Sequence, residues 1–145
     1  RKDEAMSTKL MEYFNKRPRL GCLSTANAKG EVDVAYFGSP RMIDEKRIVM
    51  GLGDNRTLRN LRENPHAAFM IMEPGATMPE WHGVRLYVTM VACETSGGNL
   101  DMIRAAVARG AGERAAQSIR AAATFEIGEI RPLADFGQGW EKSIG

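Results

Sequence analysis

The chain is short of the residues that usually announce metal, disulfide or acid–base chemistry. Its 145 residues include two cysteines, Cys22 and Cys93, and two histidines, His66 and His82. The cysteines form no CxxC pair, and each sits inside an apolar, strand-like run. That argues against a zinc site and a disulfide framework and leaves two buried, reduced thiols as the expectation. Two histidines are too few for a His-rich metal centre, so no metal is expected. No Ser/His/Asp or Cys/His nucleophile set can be assembled, and no residue is assigned a catalytic role. The net charge is only +2, with Lys and Arg spread along the chain, which gives no basic stripe for nucleic acid. No apolar run approaches the length of a membrane span and no secretory leader is visible, so no membrane association and a cytoplasmic location are expected. There is no GxxxxGK[ST]. The pair Gly51-x-Gly53 lacks the third glycine and the downstream acid of a dinucleotide fingerprint.

Hydrophobic residues at 43% and charged residues at 26% fit a globular protein with a substantial core, read as one domain over 1–145. The first five residues, Arg1–Ala5, are set apart from that fold. Met6, Leu10, Tyr13 and Phe14 share one face of a helix over Asp3–Lys16 that Pro18 stops. Alternation predicts strands over Leu20–Ala26 and Glu31–Phe37, joined by an Asn27-Ala28-Lys29-Gly30 turn. Gly38-Ser39-Pro40 bends the second strand before it resumes to Ile43. Arg47–Leu52 follows as a strand. Ala67–Met72 is apolar at every position, which predicts a strand buried on both faces. Glu73–Gly83, with two prolines and two glycines, reads as a loop, and Val84–Glu94 as a long strand. Leu100, Ile103 and Val107 mark a helix that Gly110 and Gly112 break, with helical sequence continuing over Glu113–Ala122. Thr124–Arg131 is the last strand, with a bulge at Gly128-Glu129-Ile130. Helices do not follow strands regularly, so a doubly wound parallel sheet is excluded. The pattern suits a mainly β fold with flanking helices, a six-stranded antiparallel barrel.

The most informative segment is Asp54-Asn55-Arg56-Thr57-Leu58-Arg59-Asn60-Leu61-Arg62-Glu63-Asn64-Pro65. A strand feeds through Gly51 and Gly53 into a helix whose first turn carries an Arg and a Thr. Free backbone N–H groups and the positive dipole end suit a phosphate there. Arg56 adds a charged fork and Thr57 a hydroxyl. The plainer alternative is that Asp54 or Asn55 caps the helix while Arg56, Arg59 and Arg62 form a solvated stripe at i, i+3 spacing.

Taken in order, Leu23–Gly30, Val32–Phe37, Arg47–Met50 and Arg56–Pro65 resemble the pyridoxamine 5′-phosphate oxidase-like FMN-binding split barrels. The resemblance spans roughly the first half of the chain; the second half matches only in its pattern of long strand, helices and final strand. It implies FMN, with the phosphate at Arg56 and Thr57 beside Asn55. It sets the flavin ring against the backbone of Val34, Ala35 and Tyr36 and of Met50, Gly51 and Leu52. The family commonly has Pro where this chain has Ala35, and often Lys at Arg56 or Thr57. A homodimer is implied, because the flavin of such barrels lies between two protomers. The implied activity is that of an FMN-dependent oxidoreductase acting on a small-molecule substrate or electron donor. A non-catalytic flavin carrier or electron-transfer protein, a haem-binding barrel using His66 or His82, and a deazaflavin-dependent reductase stand as alternatives. Trp81, His82 and Trp140 are further candidates for a substrate pocket, each against the simpler role of anchoring its own segment.

Overall fold

The computed structural model describes residues 2–17 and 19–145, with backbone alone for 2–8. The elements in order are α1 (Lys2–Asn15), β1 (Leu20–Ala26), β2 (Val32–Tyr36), β3 (Arg41–Met42), β4 (Arg47–Leu52) and α2 (Arg56–Glu63), then β5 (His66–Glu73), β6 (His82–Glu94), α3 (Gly98–Ala111), α4 (Glu113–Ser118) and β7 (Ala121–Pro132). Short 3₁₀ turns cover Met78–Glu80 and Trp140–Ser143. The strands form one antiparallel sheet in the order β2-β1-β5-β6-β7-β4-β3. This mainly β architecture with flanking helices is the expected class, with seven strands rather than six. The extra one arises because Gly38-Ser39-Pro40 breaks the second strand, and Arg41–Met42 then pairs with β4 in its own right.

The core is a column of aromatic rings wrapped by aliphatic side chains. Phe69 of β5 sits between Phe14 of α1 and Phe125 of β7, edge-on to both at centroid distances of 5.9 and 5.5 Å. All three are buried, with Leu23, Ile48, Met50, Leu52, Leu86 and Ala123 around them. Helix α1 closes one end of this column through Leu10, Tyr13 and Phe14. The Met6 side chain and Pro18 lie outside the described residues. The backbone of 2–5 belongs to α1 rather than lying outside the fold.

Three expectations are corrected by packing. The first concerns β5, which buries only Phe69 and Ile71, while Ala68, Met70 and Met72 are half-buried on the opposite face. The second concerns the helical sequence over Glu113–Ala122, which stops at Ser118. Ala121, Ala122 and Ala123 pair with Leu52, Gly51 and Met50 and are fully buried. Burial between β4 and the interior overrides alanine's helix preference. The third is that both thiols are free and half-buried rather than sealed in the core. The bulge does lie where alternation slips: Tyr87 faces Glu129 and Val88 faces Ile127, which leaves Gly128 as the extra residue.

Phe69 joins α1, β5 and β7 in one contact set, so Phe69→Ala should cost about 3–5 kcal/mol of stability. Urea unfolding at fixed protein concentration measures it. A loss under about 1 kcal/mol would show that the column is not the mechanical centre of the fold.

Candidate functional site

Helix α2 is held against the β1–β2 hairpin by polar contacts at two levels. Asn60 donates from Nδ2 to Thr25 Oγ1 at 3.1 Å, a buried pair. Glu63 accepts the Ala28 amide at 3.1 Å. Leu58 and Leu61 fill the same side. The cap is Asn55, in extended conformation, whose side chain accepts the Leu58 amide at 2.9 Å. Asp54 instead lies 3.6 Å from Arg59 in a solvent-exposed pair. The capping alternative is therefore correct about Asn55, yet capping and anion binding are compatible here. Among the described residues the amides of Arg56 and Thr57 have no hydrogen-bond partner, as expected of a first turn. No acidic residue stands in that turn. The Arg56 side chain is 72% exposed and approaches only Asp33 of β2, at 3.8 Å. Thr57 is buried, so Arg56 carries the exposed chemistry of the pair.

The strands that were expected to offer backbone to a flat ring are sheet edges. β2 is the first strand of the sheet and pairs only with β1. β3 covers β4 only opposite Val49 and Ile48, so Met50, Gly51 and Leu52 have β7 on one side and no strand on the other. Edge backbone of this kind has groups free to hydrogen-bond a planar heterocycle. Gly51 has a different reason for being glycine than ring approach. A Cβ there would lie 2.8 Å from Ile103 Cγ2 and 2.9 Å from Ile119 Cγ2, so the α3 side of the barrel demands it. The Leu52 carbonyl already accepts the Arg120 amide at 2.7 Å.

The alternation in β2 runs opposite to a simple core strand. Val32, Val34 and Tyr36 are 82, 63 and 64% exposed, while Asp33 and Ala35 are half-buried. Register puts Tyr36, Cys22, Met70 and Arg85 on one rung of this outer face, and Val34, Ser24, Ala68 and Tyr87 on the next. Leu20 and Met72 extend it. The result is a broad, largely apolar sheet face, opposite in alternation to Thr25 and Asp33, through which the hairpin meets α2.

The remaining candidates are scattered. Trp81 and His82 lie at the β5–β6 connection, at the end of β5 away from α2. His82 belongs to β6, opposite Glu73. Glu73 bonds Lys16 at 2.8 Å; Lys16 first, and His82 among the lesser causes, hold its carboxyl below the usual range. Trp140 is half-buried against its own chain's core. Its ring is engaged in packing rather than projecting. His66 is exposed at the start of β5, its Nδ1 3.3 Å from Thr89 Oγ1. Asp33 was missed by sequence reasoning. So were Arg17, Arg19 and Arg41, which the fold gathers at the far end of β2. The only prior signal was the Arg17-x-Arg19 spacing around Pro18. Among the described residues no group of three His, Cys, Asp or Glu could hold a metal, and no helix is long and apolar enough to cross a membrane.

Residues 7–134 match the family model described as pyridoxamine 5′-phosphate oxidase. The chain belongs to that family. Its fold is similar to that of an FMN-binding protein from Syntrophomonas wolfei subsp. wolfei, at 23% identity, 93% of this chain and 90% of that one, with a TM-score of 0.81. It is also similar to HutZ, the heme storage protein from Vibrio cholerae, at 16% identity over 94% and 98% of the two chains, TM-score 0.62. An F420 reductase aligns at 13% identity over 82% and 94%, TM-score 0.61. No curated protein matches. At these identities the likeness establishes the fold, the split barrel, and leaves the cofactor to the residues themselves.

Asn55 satisfies one of the orphan amides of α2. Asn55→Ala should lower stability by about 1 kcal/mol, and Asn55→Asp should restore most of it. Thermal unfolding of the three proteins decides. Equal stability of Asn55→Ala and wild type would mean that the cap does not hold the helix start.

Proposed function

We propose that the protein is a homodimeric FMN-binding oxidoreductase. The observation that carries this is the juxtaposition of an exposed Arg56, at a helix start free of acids, with the open edge of β2. FMN supplies hydride and electron transfer when bound; the chain supplies binding and orientation. Arg56 and the first-turn amides would take the phosphate, with Asn55 fixing that turn. The edges at Val34–Tyr36 and Met50–Leu52 would meet the ring's polar rim. Asp33 bears on affinity, because its carboxylate competes with a phosphate for Arg56. The two free thiols and the absence of a disulfide suit a reducing compartment, and a cytoplasmic location is proposed on that ground.

The apolar outer face argues for a second copy as its cover. Leu20, Val32, Val34 and Tyr36 are exposed together, contiguous in register with Cys22, Met70 and Met72. A monomer rarely leaves such a face in water. A symmetric dimer would bury it and enclose the β2 edge, making the flavin groove a joint product of two chains. One specific observation favours a second reading: the likeness to HutZ makes haem the alternative ligand, with His66 or His82 as the available axial group. The absorbance spectrum separates the two, since a Soret band without flavin bands removes the flavin reading.

Affinity gives the first quantitative test. FMN should bind more tightly than riboflavin by about 2–4 kcal/mol through charge-assisted contacts to the phosphate. Arg56→Ala should weaken FMN at least tenfold with little effect on the stability of the apoprotein, while Asp33→Asn should tighten it. Calorimetry showing equal affinity for FMN and riboflavin would remove the phosphate site. For the dimer, sedimentation should give twice the chain mass at micromolar concentration. Leu20→Glu, which places a charge on the apolar face, should shift the protein toward monomer. A wild-type monomer that still holds FMN tightly would place the groove within one chain.

A further inference from the structure

Three arginines converge at the end of β2 away from Arg56. Arg17 donates from Nη2 to the Pro40 carbonyl at 3.2 Å and from Nη1 to the Asn15 carbonyl at 3.2 Å. Arg19 donates to the same Pro40 carbonyl and to that of Phe14. Two guanidiniums therefore share one neutral acceptor, and Arg41 follows Pro40 directly in the chain. Among the described residues none of the three pairs with a carboxylate.

The cluster has an inner and an outer part. Arg19 is 8% exposed and lies over the Phe14 ring, 4.6 Å from its centroid. Its Nε is buried with no partner. Burial first, and the neighbouring Arg17 second, pull this guanidinium down to about 10, still protonated at neutral pH. Arg17 is lowered in the same way, by desolvation and then by Arg41. Arg17 and Arg41 are exposed. Arg17 is held by the Asn15 and Pro40 carbonyls, Arg41 follows Pro40 and lies near enough for its charge to be felt at Arg17, and among the described residues neither has a carboxylate partner. Held like charges of this kind favour an anion that can bridge them.

Tyr36 connects this cluster to the strand proposed for the flavin. A Cβ on Gly38 would meet the Tyr36 hydroxyl at 3.2 Å, so the ring curls back over Gly38. The hydroxyl lies 3.5 Å from the Arg19 carbonyl. Tyr36 and Asp33 are three residues apart on β2, about 10 Å along an extended strand. The Arg56 clamp and the arginine cluster therefore lie toward opposite ends of β2, reached from its inner and outer faces respectively. Resting on the flavin reading above, we propose that Arg17 and Arg41, with the Tyr36 hydroxyl, bind the anionic group, carboxylate or phosphate, of the substrate that reacts at the ring. Arg19 is the positioning residue, holding the Pro40 bend against α1.

Inorganic phosphate is the probe. In the Arg56→Ala protein, which lacks the other phosphate clamp, the arginine Nε–H NMR signals of Arg17 and Arg41 should shift saturably with millimolar phosphate. Those of Arg62 and Arg109, both exposed and remote, should not. The Arg41 side chain makes no hydrogen bond among the described residues, so Arg41→Gln should fold normally and weaken phosphate at least tenfold. Its FMN affinity, measured with Arg56 intact, should stay within twofold of wild type. In FMN-loaded wild type the same titration should move the flavin absorption bands. Shifts at Arg17 and Arg41 no larger than at Arg62 would overturn the anion site. Saturable phosphate binding with unmoved flavin bands would overturn its role at the ring. If Arg56→Ala leaves FMN affinity unchanged while phosphate still saturates Arg17 and Arg41, the phosphate clamp fails and the anion site stands.

Discussion

The hydrogen bond from Asn60 to Thr25 fixes the relation on which the site depends. Thr25 faces inward on β1 and is buried, as is Asn60. Leaving either group unpaired there would cost about 1–3 kcal/mol, so the pair specifies one seating of α2 on the hairpin. The bond from Ala28 to Glu63 ties the hairpin turn to the last turn of the same helix. With α2 seated in this way, and Thr57 and Leu58 buried in its first turn, the helix start stands beside Asp33 of β2. The exposed Arg–Asp contact at 3.8 Å contributes little by itself. Its value is as a marker of where the helix start has been put.

The sheet serves the site by leaving things uncovered. A strand in a closed barrel spends its alternate residues on an inner and an outer face. In β2 the usual sense is reversed: the apolar residues point out and Asp33 and Ala35 point toward the protein. The strand is therefore stabilised in the monomer mainly by its pairing with β1. That makes β2 a surface in waiting, apolar enough to want a cover and with an edge that can accept polar partners. The proposed ligand lying along it and the proposed second chain lying over it would satisfy both requirements together, and cofactor binding would then be linked to dimerisation through the same residues.

Much of this was legible before the fold was known, and the reasons differ by element. β1 has the bounds that alternation gives it, because one of its faces meets the core and period two is then enforced, and β4 has those of its short apolar run. The Gly128 bulge showed itself as a slip in the same period. Helix α2 was legible from its Asn55 cap and its Asn64-Pro65 stop, both local signals. Ala121 and Ala122 were misread because alanine carries a helix preference but no burial pattern of its own, and only the pairing with β4 decides its state. The burial of β5 on both faces was misread because an unbroken apolar run carries no alternation to say which of its faces meets the core. The arginine cluster was invisible for a different reason. Arg17, Arg19 and Arg41 are brought together by the Gly38-Ser39-Pro40 bend, and bends are the least periodic part of any sequence.

The family fold hosts cofactors that differ in size and chemistry, as the flavin, heme and F420 proteins similar to this chain illustrate, so architecture alone does not choose among them. The residues do discriminate. A haem needs an axial ligand with room in front of it. Of the two histidines here, His66 is engaged at the rim with Thr89 and His82 sits opposite a Glu73 already bonded to Lys16. A phosphate-bearing flavin needs an exposed cation at a helix start and an adjacent open backbone edge. Both are present, within one helix–hairpin unit whose geometry is set by buried contacts. These features are what supports the proposal of FMN over haem. On that proposal Asn60 and Thr25, which need never touch a ligand, would bear on binding as Arg56 does: releasing α2 would leave the guanidinium intact and remove the place it is held.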